Sequence, residues 1–346
     1  MIGDVLTSSI LFEALRKKYP EAELHYLIYP HTRPVIKNNP FIDKVIEYAP
    51  ENGKNPVKFI EFLNFIRRES YSEIIDIYSK ISSGIMASYS GASRRLGFHK
   101  NYTRPFYTQT FIYKENPDSR AGLAIENRMQ VLKGLDQDFP LALRPKIYIS
   151  SDEKEVYRNK LQNKGINLNQ PIVMCGVMGS SDIKSYPENY MATLLDMLVQ
   201  KVPNAQILFN YLPSQTSRAK NIYALCNSET QSRIFLNIYE NSLKGFILNA
   251  ANCDLYLGNE GGAANIMKAL EIRTFSIHSP IIKKNYWAIY EDDVKHASIH
   301  LEDFEPTLFE NLPARLSKRR NAELYQKLIP ELIELKLNEF LKNLVI

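Results

Sequence analysis

Two periodicities alternate along the whole chain. Apolar positions Leu6, Ile10, Leu11, Ala14 and Leu15 recur at helical spacing and predict a helix over 6–18, which Pro20 stops. Short runs rich in β-branched and aromatic residues then predict strands at 23–29 (ELHYLIY), 44–48 (KVIEY) and 73–78 (EIIDIY), the last of the buried kind that parallel sheets use. Helices are expected over 57–69 and 121–135, with RRLGF at 94–98 and a polar aromatic stretch to Ser119 between them. An extended segment over 141–150, containing Pro145, reads as a linker. The second half repeats the logic: strands at 171–177, 206–211, 233–238, 254–257 and 274–278, and helices over 151–164, 187–201, 214–226, 243–251 and 263–270. A glycine-rich turn occupies 258–262, and the tail from 321 to 346 is helical, with Leu324, Leu328, Leu332 and Leu335 as its packing positions.

Strands alternating with helices predict an α/β fold built on largely parallel sheets. At 346 residues the chain exceeds the size at which one core keeps growing, so two doubly wound sheets are expected, with the ligand in the cleft between them. The expected division is 1–145, 146–320 and the tail 321–346. For the tail, core packing is preferred, and a return to the first domain is the alternative.

Composition narrows the function. A net charge of +5 suits an anionic substrate or the inner face of a membrane, and no zinc-finger, RNP-like or helix-turn-helix pattern accompanies it to suggest nucleic acid. Cys175, Cys226 and Cys253 form neither a CxxC pair nor a metal-ligand spacing, which fits a reducing compartment. No apolar run reaches the roughly 20 residues a membrane helix needs, so a cytoplasmic protein is expected.

Three segments carry candidate chemistry. In Ile2-Gly3-Asp4-Val5-Leu6-Thr7, Asp4 sits where the first helix opens; it reads either as a helix cap or as a carboxylate able to take a proton from a sugar hydroxyl. In Leu257-Gly258-Asn259-Glu260-Gly261-Gly262-Ala263, a glycine turn feeds a helix. Its N-terminus offers N–H donors to a phosphate, unless the turn is merely a tight connection. It is not GxGxxG, which argues against a dinucleotide dehydrogenase. In the loop from Gly179 to Glu188, Ser180, Ser181 and Lys184 either ring a diphosphate or are solvated loop residues.

In order and context these segments resemble glycosyltransferase family 9, the ADP-heptose:lipopolysaccharide heptosyltransferases. The family's I-G-D-V-L-x-T is similar to residues 2–7, its Y-P-x-A-x-I-x-x-L to 19–27, its N-P-x-I-D-x-V-I to 39–46, its Y-D-x-x-I-D to 71–76 and its R-x-G-F to 95–98. Its D-D-K-x-W-P-x-E resembles 182–188, and its D-L-x-V-G-N-D-S-G-P-x-H resembles the segment opening at Asp254. The resemblance implies a GT-B fold, two Rossmann-like domains facing a central cleft, and a metal-independent, inverting transfer of a sugar from a nucleotide-diphosphate donor to a lipid-linked or oligosaccharide acceptor. It needs no cofactor, and ADP-heptose is one candidate donor. By carry-over Asp4 is the general base. Ser180, Ser181, Lys184, Glu260, Gly261, Gly262 and Ala263 bind the donor. Apart from the carry-over, Arg94, Arg95, Lys100 and Arg104, in the acceptor domain, form a basic stretch that reads either as a contact for acceptor phosphates or anionic lipid or as ordinary solvated charge, and loose contact with the inner membrane is expected.

Some positions differ from the family pattern. Glu260 stands for an aspartate, Gly261 for a hydroxyl residue, Ala263 and Asn265 for Pro and His, and Tyr186 for Trp, so a sugar other than heptose is equally open. Family members carry a strand before the I-G-D segment, and the expectation is that Met1 is an internal methionine of the natural protein. The alternatives are a degenerate GT-B protein that binds nucleotide or glycan without turnover, and a sugar-nucleotide epimerase. The epimerase would need further acidic and histidine residues, and the six histidines do not cluster.

Overall fold

A computed structural model of the chain describes residues 1–310 and 317–342. In order, its elements are α1 (Ile2–Ser8), α2 (Ile10–Lys18), β1 (His25–Ile28), β2 (Lys44–Glu47), α3 (Pro56–Arg68), β3 (Glu73–Asp76), α4 (Ile81–Tyr89), β4 (Arg94–Phe98), β5 (Gln109–Phe111) and α5 (Leu123–Val131). There follow α6 (Ser151–Asn163), β6 (Ile172–Gly176), α7 (Glu188–Lys201), β7 (Gln206–Asn210), α8 (Thr216–Leu225), α9 (Ser228–Arg233), α10 (Leu243–Ala250) and β8 (Leu255–Asn259). The last are α11 (Gly262–Ala269), β9 (Arg273–Ile277), α12 (Lys284–Trp287), β10 (His296–Ile299), α13 (Lys318–Lys327) and α14 (Pro330–Lys342).

Two compact units result. The N-terminal unit comprises Asp4–Lys146 and Asn285–Ile289; the C-terminal unit comprises Met1–Gly3, Ile147–Lys284 and Tyr290–Ile346.

In the N-terminal unit all strand pairs are parallel, but they form two sheets, β1-β2 and β3-β4-β5. The strands that flank the division are only partly covered: Leu27 of β1 is 37% exposed, and Glu73, Ile74 and Ile75 of β3 are half-buried. The predicted first helix is divided at Ser9. The Ser9 hydroxyl bonds back to the Leu6 carbonyl at 2.7 Å, a contact that bends helices.

The C-terminal unit has one all-parallel sheet of order β7-β6-β8-β9-β10. Strands β6 and β8 are buried along their whole length, in keeping with the apolar residues IVMC and LYL that open them. Chain direction across the sheet reverses between β6 and β8, leaving a crevice at their carboxyl ends.

Several expectations change here. The strand foreseen over 233–238 reduces to one bridge between Ile207 and Ile234, because Asn227 caps α9 by accepting from the Thr230 N–H at 2.8 Å. The described part of the tail joins the core of the C-terminal unit through Leu324, Leu328, Ile333, Leu337 and Phe340. Its foreseen stripe also slips: Leu332 is half-buried and Leu335 is 71% exposed. Pro330 opens a new helix and resets the phase that a continuous helix would have kept. Residues 343–346 of the tail lie outside the described residues.

Candidate active site

The two segments expected to bind the donor meet at the crevice between β6 and β8. Beyond β6 the chain runs through Val177 to Ser181, then turns back through Lys184 and Ser185 to Tyr186. Beyond β8 it passes Glu260 and Gly261 into α11. Asn259, buried at the end of β8, ties the two together. Its Nδ2 donates to the Gly176 carbonyl at 2.9 Å, and its Oδ1 accepts from the Tyr186 N–H at 2.7 Å. The Ser185 hydroxyl closes the first loop by donating to the Ser181 carbonyl and accepting from the Gly179 N–H, both at 3.0 Å. Gln215 donates to the Gly179 carbonyl at 2.8 Å, and Ser279 and Asn321 donate to the Ile183 carbonyl at 2.7 and 2.6 Å. This loop is therefore held at both of its limbs, while Ser180 and Ser181 stay exposed and Lys184 half-buried.

Glycines let the second segment come this close. A Cβ on Gly258, whose φ is +147°, would lie 2.4 Å from the Gly176 carbonyl oxygen. Gly261 has φ +155° and directly precedes the first turn of α11, where backbone N–H groups lack helical partners. Burial pushes the Glu260 carboxyl up, and the charges of Lys184 and Lys268 pull it back. The loop lysine and the turn carboxylate thus act on one another within one crevice. Lys268 is itself buried and paired with Glu291 at 3.3 Å; sequence reading passed over it as an ordinary helix lysine.

Asp4 lies in the N-terminal unit, as the third residue of α1 rather than its cap. Its Oδ1 accepts from Arg128 at 2.8 Å. The Arg128 guanidinium also donates to the Ser8 hydroxyl at 2.9 Å and to the Ala124 carbonyl at 2.6 Å, and it lies 5.9 Å from the Trp287 ring centre. Arg128 was missed because, inside an expected helix, nothing in its spacing distinguishes it from a surface arginine.

The basic stretch expected to act as one group is divided by β4. Arg94 begins that strand and pairs with Glu73 at the start of β3. Arg95 is tied to the carbonyls of Phe106 at 3.0 Å and Ala92 at 2.6 Å. Lys100 and Arg104 follow the opposite, carboxyl end of β4. Arg94 and Arg95 therefore hold strands and loops together at the amino end of the sheet, and Lys100 and Arg104 stand beyond its carboxyl end.

With this geometry in view, known proteins give a consistent comparison. A profile described as "Glycosyltransferase family 9 (heptosyltransferase)" matches residues 60–306. The chain belongs to glycosyltransferase family 9. It is a glycosyltransferase, and the segments 179–188 and 257–263 both fall inside the matched span. The lipopolysaccharide heptosyltransferase 1 of Campylobacter coli is 24% identical over 284 residues, 80% of each chain. The structure of the Escherichia coli ADP-heptose lipopolysaccharide heptosyltransferase II superposes with a TM-score of 0.72 at 17% identity, covering 99% of this chain and 96% of that one. An Escherichia coli heptosyltransferase solved with ADP gives 0.64 at 13% identity, covering 100% and 97%. The fold is GT-B, with two Rossmann-like units.

Among the described residues no group of three or more His, Cys, Asp or Glu side chains is placed to hold a metal ion, and no helix is long and apolar enough to cross a membrane. All three cysteines are buried and unpaired.

Proposed function

We propose that this glycosyltransferase moves a heptose or a related sugar from a nucleoside-diphosphate donor, ADP-heptose first among candidates, to a lipopolysaccharide core or similar glycan. The observation that carries the reading is the Asn259 clasp, which brings the Lys184 loop and the Glu260–Gly261 turn to one end of the sheet. The names of the relatives supply the sugar and the acceptor, and the ADP-bound neighbour supports an adenine nucleotide.

In this reading the donor diphosphate rests against the first turn of α11, with Lys184 beside it and Ser180 and Ser181 as hydroxyl donors. As the bond to the anomeric carbon breaks, the leaving diphosphate gains charge. The helix terminus and the ammonium stabilise that charge without a metal ion. The acceptor hydroxyl attacks from the opposite face, so the anomeric configuration inverts, and Asp4 takes its proton. Arg128 holds the Asp4 carboxylate in one orientation. Lys100 and Arg104 contribute to acceptor binding from the N-terminal unit. The protein works in the cytoplasm, at the inner face of the membrane where a lipid-linked acceptor is presented.

The test is turnover of ADP-heptose in EDTA, followed as ADP release with a core-oligosaccharide acceptor. Acceptor-dependent release of ADP that Lys184→Ala reduces, with a product of inverted anomeric configuration, supports the reading. Nucleotide binding with no ADP release at any acceptor concentration would make the chain a binding protein that has lost turnover.

A further inference from the structure

A second cluster, in the N-terminal unit, lies beyond the carboxyl ends of β3 and β4. Asp76 ends β3 and is 8% exposed. Its Oδ1 accepts from the N–H groups of Tyr78 and Ser79, both at 2.9 Å, and its Oδ2 accepts from the Tyr107 phenol at 2.6 Å. Ser79, with φ +45°, donates its hydroxyl to the Asp76 carbonyl and accepts from the Phe98 N–H, both at 2.8 Å. The carboxylate is thus engaged in folding the loop, which it holds in one unusual conformation.

Two lysines stand on this frame. Lys100 Nζ donates to the carbonyls of Ser79 at 3.0 Å and Tyr78 at 3.3 Å. Lys80 Nζ donates to the Tyr78 phenol at 2.8 Å and lies 4.2 Å from the centre of that ring. The phenols of Tyr29 and Tyr102 also act on Lys80; on Lys100 burial acts first, then the attraction of the Asp76 carboxylate and the like charge of Lys80. Among the described residues no carboxylate comes within ion-pair distance of either ammonium. Lys80 immediately precedes the nine-residue α4, whose N-terminal dipole adds to the positive field. Tyr78 is 44% and Tyr102 61% exposed.

We propose that Lys80 and Lys100, with Tyr78 and Tyr102, bind a phosphorylated sugar, the phosphate between the two ammonium groups and the sugar ring against an exposed tyrosine. A structural role accounts for Lys100, whose ammonium satisfies two loop carbonyls, yet leaves Lys80 unexplained: its head group touches only a solvent-facing phenol. An anion placed here removes the repulsion between the lysines and finds donors on both. Exposed aromatic faces offer apolar surface to the C–H side of a sugar ring. The proposal deepens the function proposed above and rests on it in one respect, that the sugar phosphate belongs to the acceptor.

The experiment is a protein-observed NMR titration of the full chain with glucose 6-phosphate, and in parallel with glucose, inorganic phosphate, ADP and phosphatidylglycerol vesicles. Glucose 6-phosphate is expected to shift the amides of residues 78–83 and 100–104, more strongly than inorganic phosphate, while glucose leaves them in place. Lys80→Gln and Lys100→Gln should each weaken that binding by about tenfold, the loss of one charge-assisted contact, and Lys80→Arg should retain most of it. ADP affinity, read in the C-terminal unit, should not move in any of these variants. If Lys100→Gln fails to fold, Lys80→Gln decides, since the Lys80 ammonium supports no backbone group. Shifts elsewhere, binding indifferent to Lys80→Gln, or vesicles engaging the lysines where the sugar phosphate does not would overturn the proposal. Glucose 6-phosphate binding at this cluster in a chain that fails to bind ADP would sink the proposed ADP-sugar donor and leave the phosphate site standing.

Discussion

Arg128 reaches Asp4 across 124 positions of sequence, from a side chain 4% exposed to one 31% exposed. A buried guanidinium costs several kcal/mol of desolvation unless its donors are used, and here they are spread over Asp4, Ser8 and Ala124. The pair fixes the opening of α1 against α5. Replacing Arg128 by Met is expected to lower stability by about 2 kcal/mol, since Asp4 regains water while Ser8 and Ala124 lose a partner. Sugar transfer should fall by at least about tenfold, mostly in kcat, because Asp4 loses its orientation. Arg128→Lys should restore charge but only one of the three contacts, and should fall between the two in denaturant midpoint and in rate.

Asn259 makes a different prediction, because it serves two partners with opposite demands. Asn259→Ala leaves the Gly176 carbonyl and the Tyr186 N–H buried without partners and should cost about 2–4 kcal/mol in urea unfolding. Asn259→Asp keeps the acceptor for Tyr186 and sets a carboxylate against a carbonyl, so it should be no better than alanine. Both should weaken ADP binding by more than the loss of Ser181 does, since they release the loop rather than one of its hydroxyls. Equal ADP affinity in Asn259→Ala and the wild type would show that the clasp does not position the donor loop.

Gly258→Ala asks for a Cβ at φ +147°, 2.4 Å from the Gly176 oxygen in the neighbouring strand. The backbone of β8 must separate from β6 to admit it, and about 3 kcal/mol or more should be lost. Gly91→Ala is the control: at φ +79° with nothing within 4 Å, only backbone strain remains, about 1 kcal/mol. Comparing the two thermal midpoints separates close approach from conformation.

These residues also show where sequence reading reached and where it stopped. The C-terminal sheet was legible because β6, β7 and β8 have apolar centres and β9 (RTFSI) holds β-branched and aromatic residues, with turn residues between them. β10 (HASI) and β5 (QTF) went unseen, since four and three residues of mixed character carry no period. The glycine turn and Lys184 were visible as a pattern, but the asparagine that joins them was not, because its partners are a carbonyl and an N–H that have no sequence signature. Lys100 and Arg94 looked alike in one basic stretch. Only the direction of β4 sends them to opposite ends of a sheet.

The last prediction concerns pH. His300, 1% exposed after β10, has its ring proton affinity pushed down to a pKa of about 4, chiefly by burial, with Asp303 opposing and Lys284 adding to the effect. His278, also fully buried, is shifted in the same direction by burial, with Lys268, His300 and Lys284 reinforcing it. In the unfolded chain both rings protonate near pH 6.5, so below that value the unfolded state binds protons that the folded state refuses. Their contribution is therefore complete above pH 6.5 and is lost as pH falls from there towards 4. For His300 alone this amounts to on the order of 3 kcal/mol across that window. Urea unfolding should accordingly give a free energy that drops steeply between pH 7 and pH 5. His300→Gln, which cannot titrate, should start lower at pH 7 because the bond from the Glu302 N–H to Nδ1 at 3.1 Å is lost, yet decline less on acidification. Parallel curves for the variant and the wild type would mean that the buried imidazole does not set the acid limit of this unit.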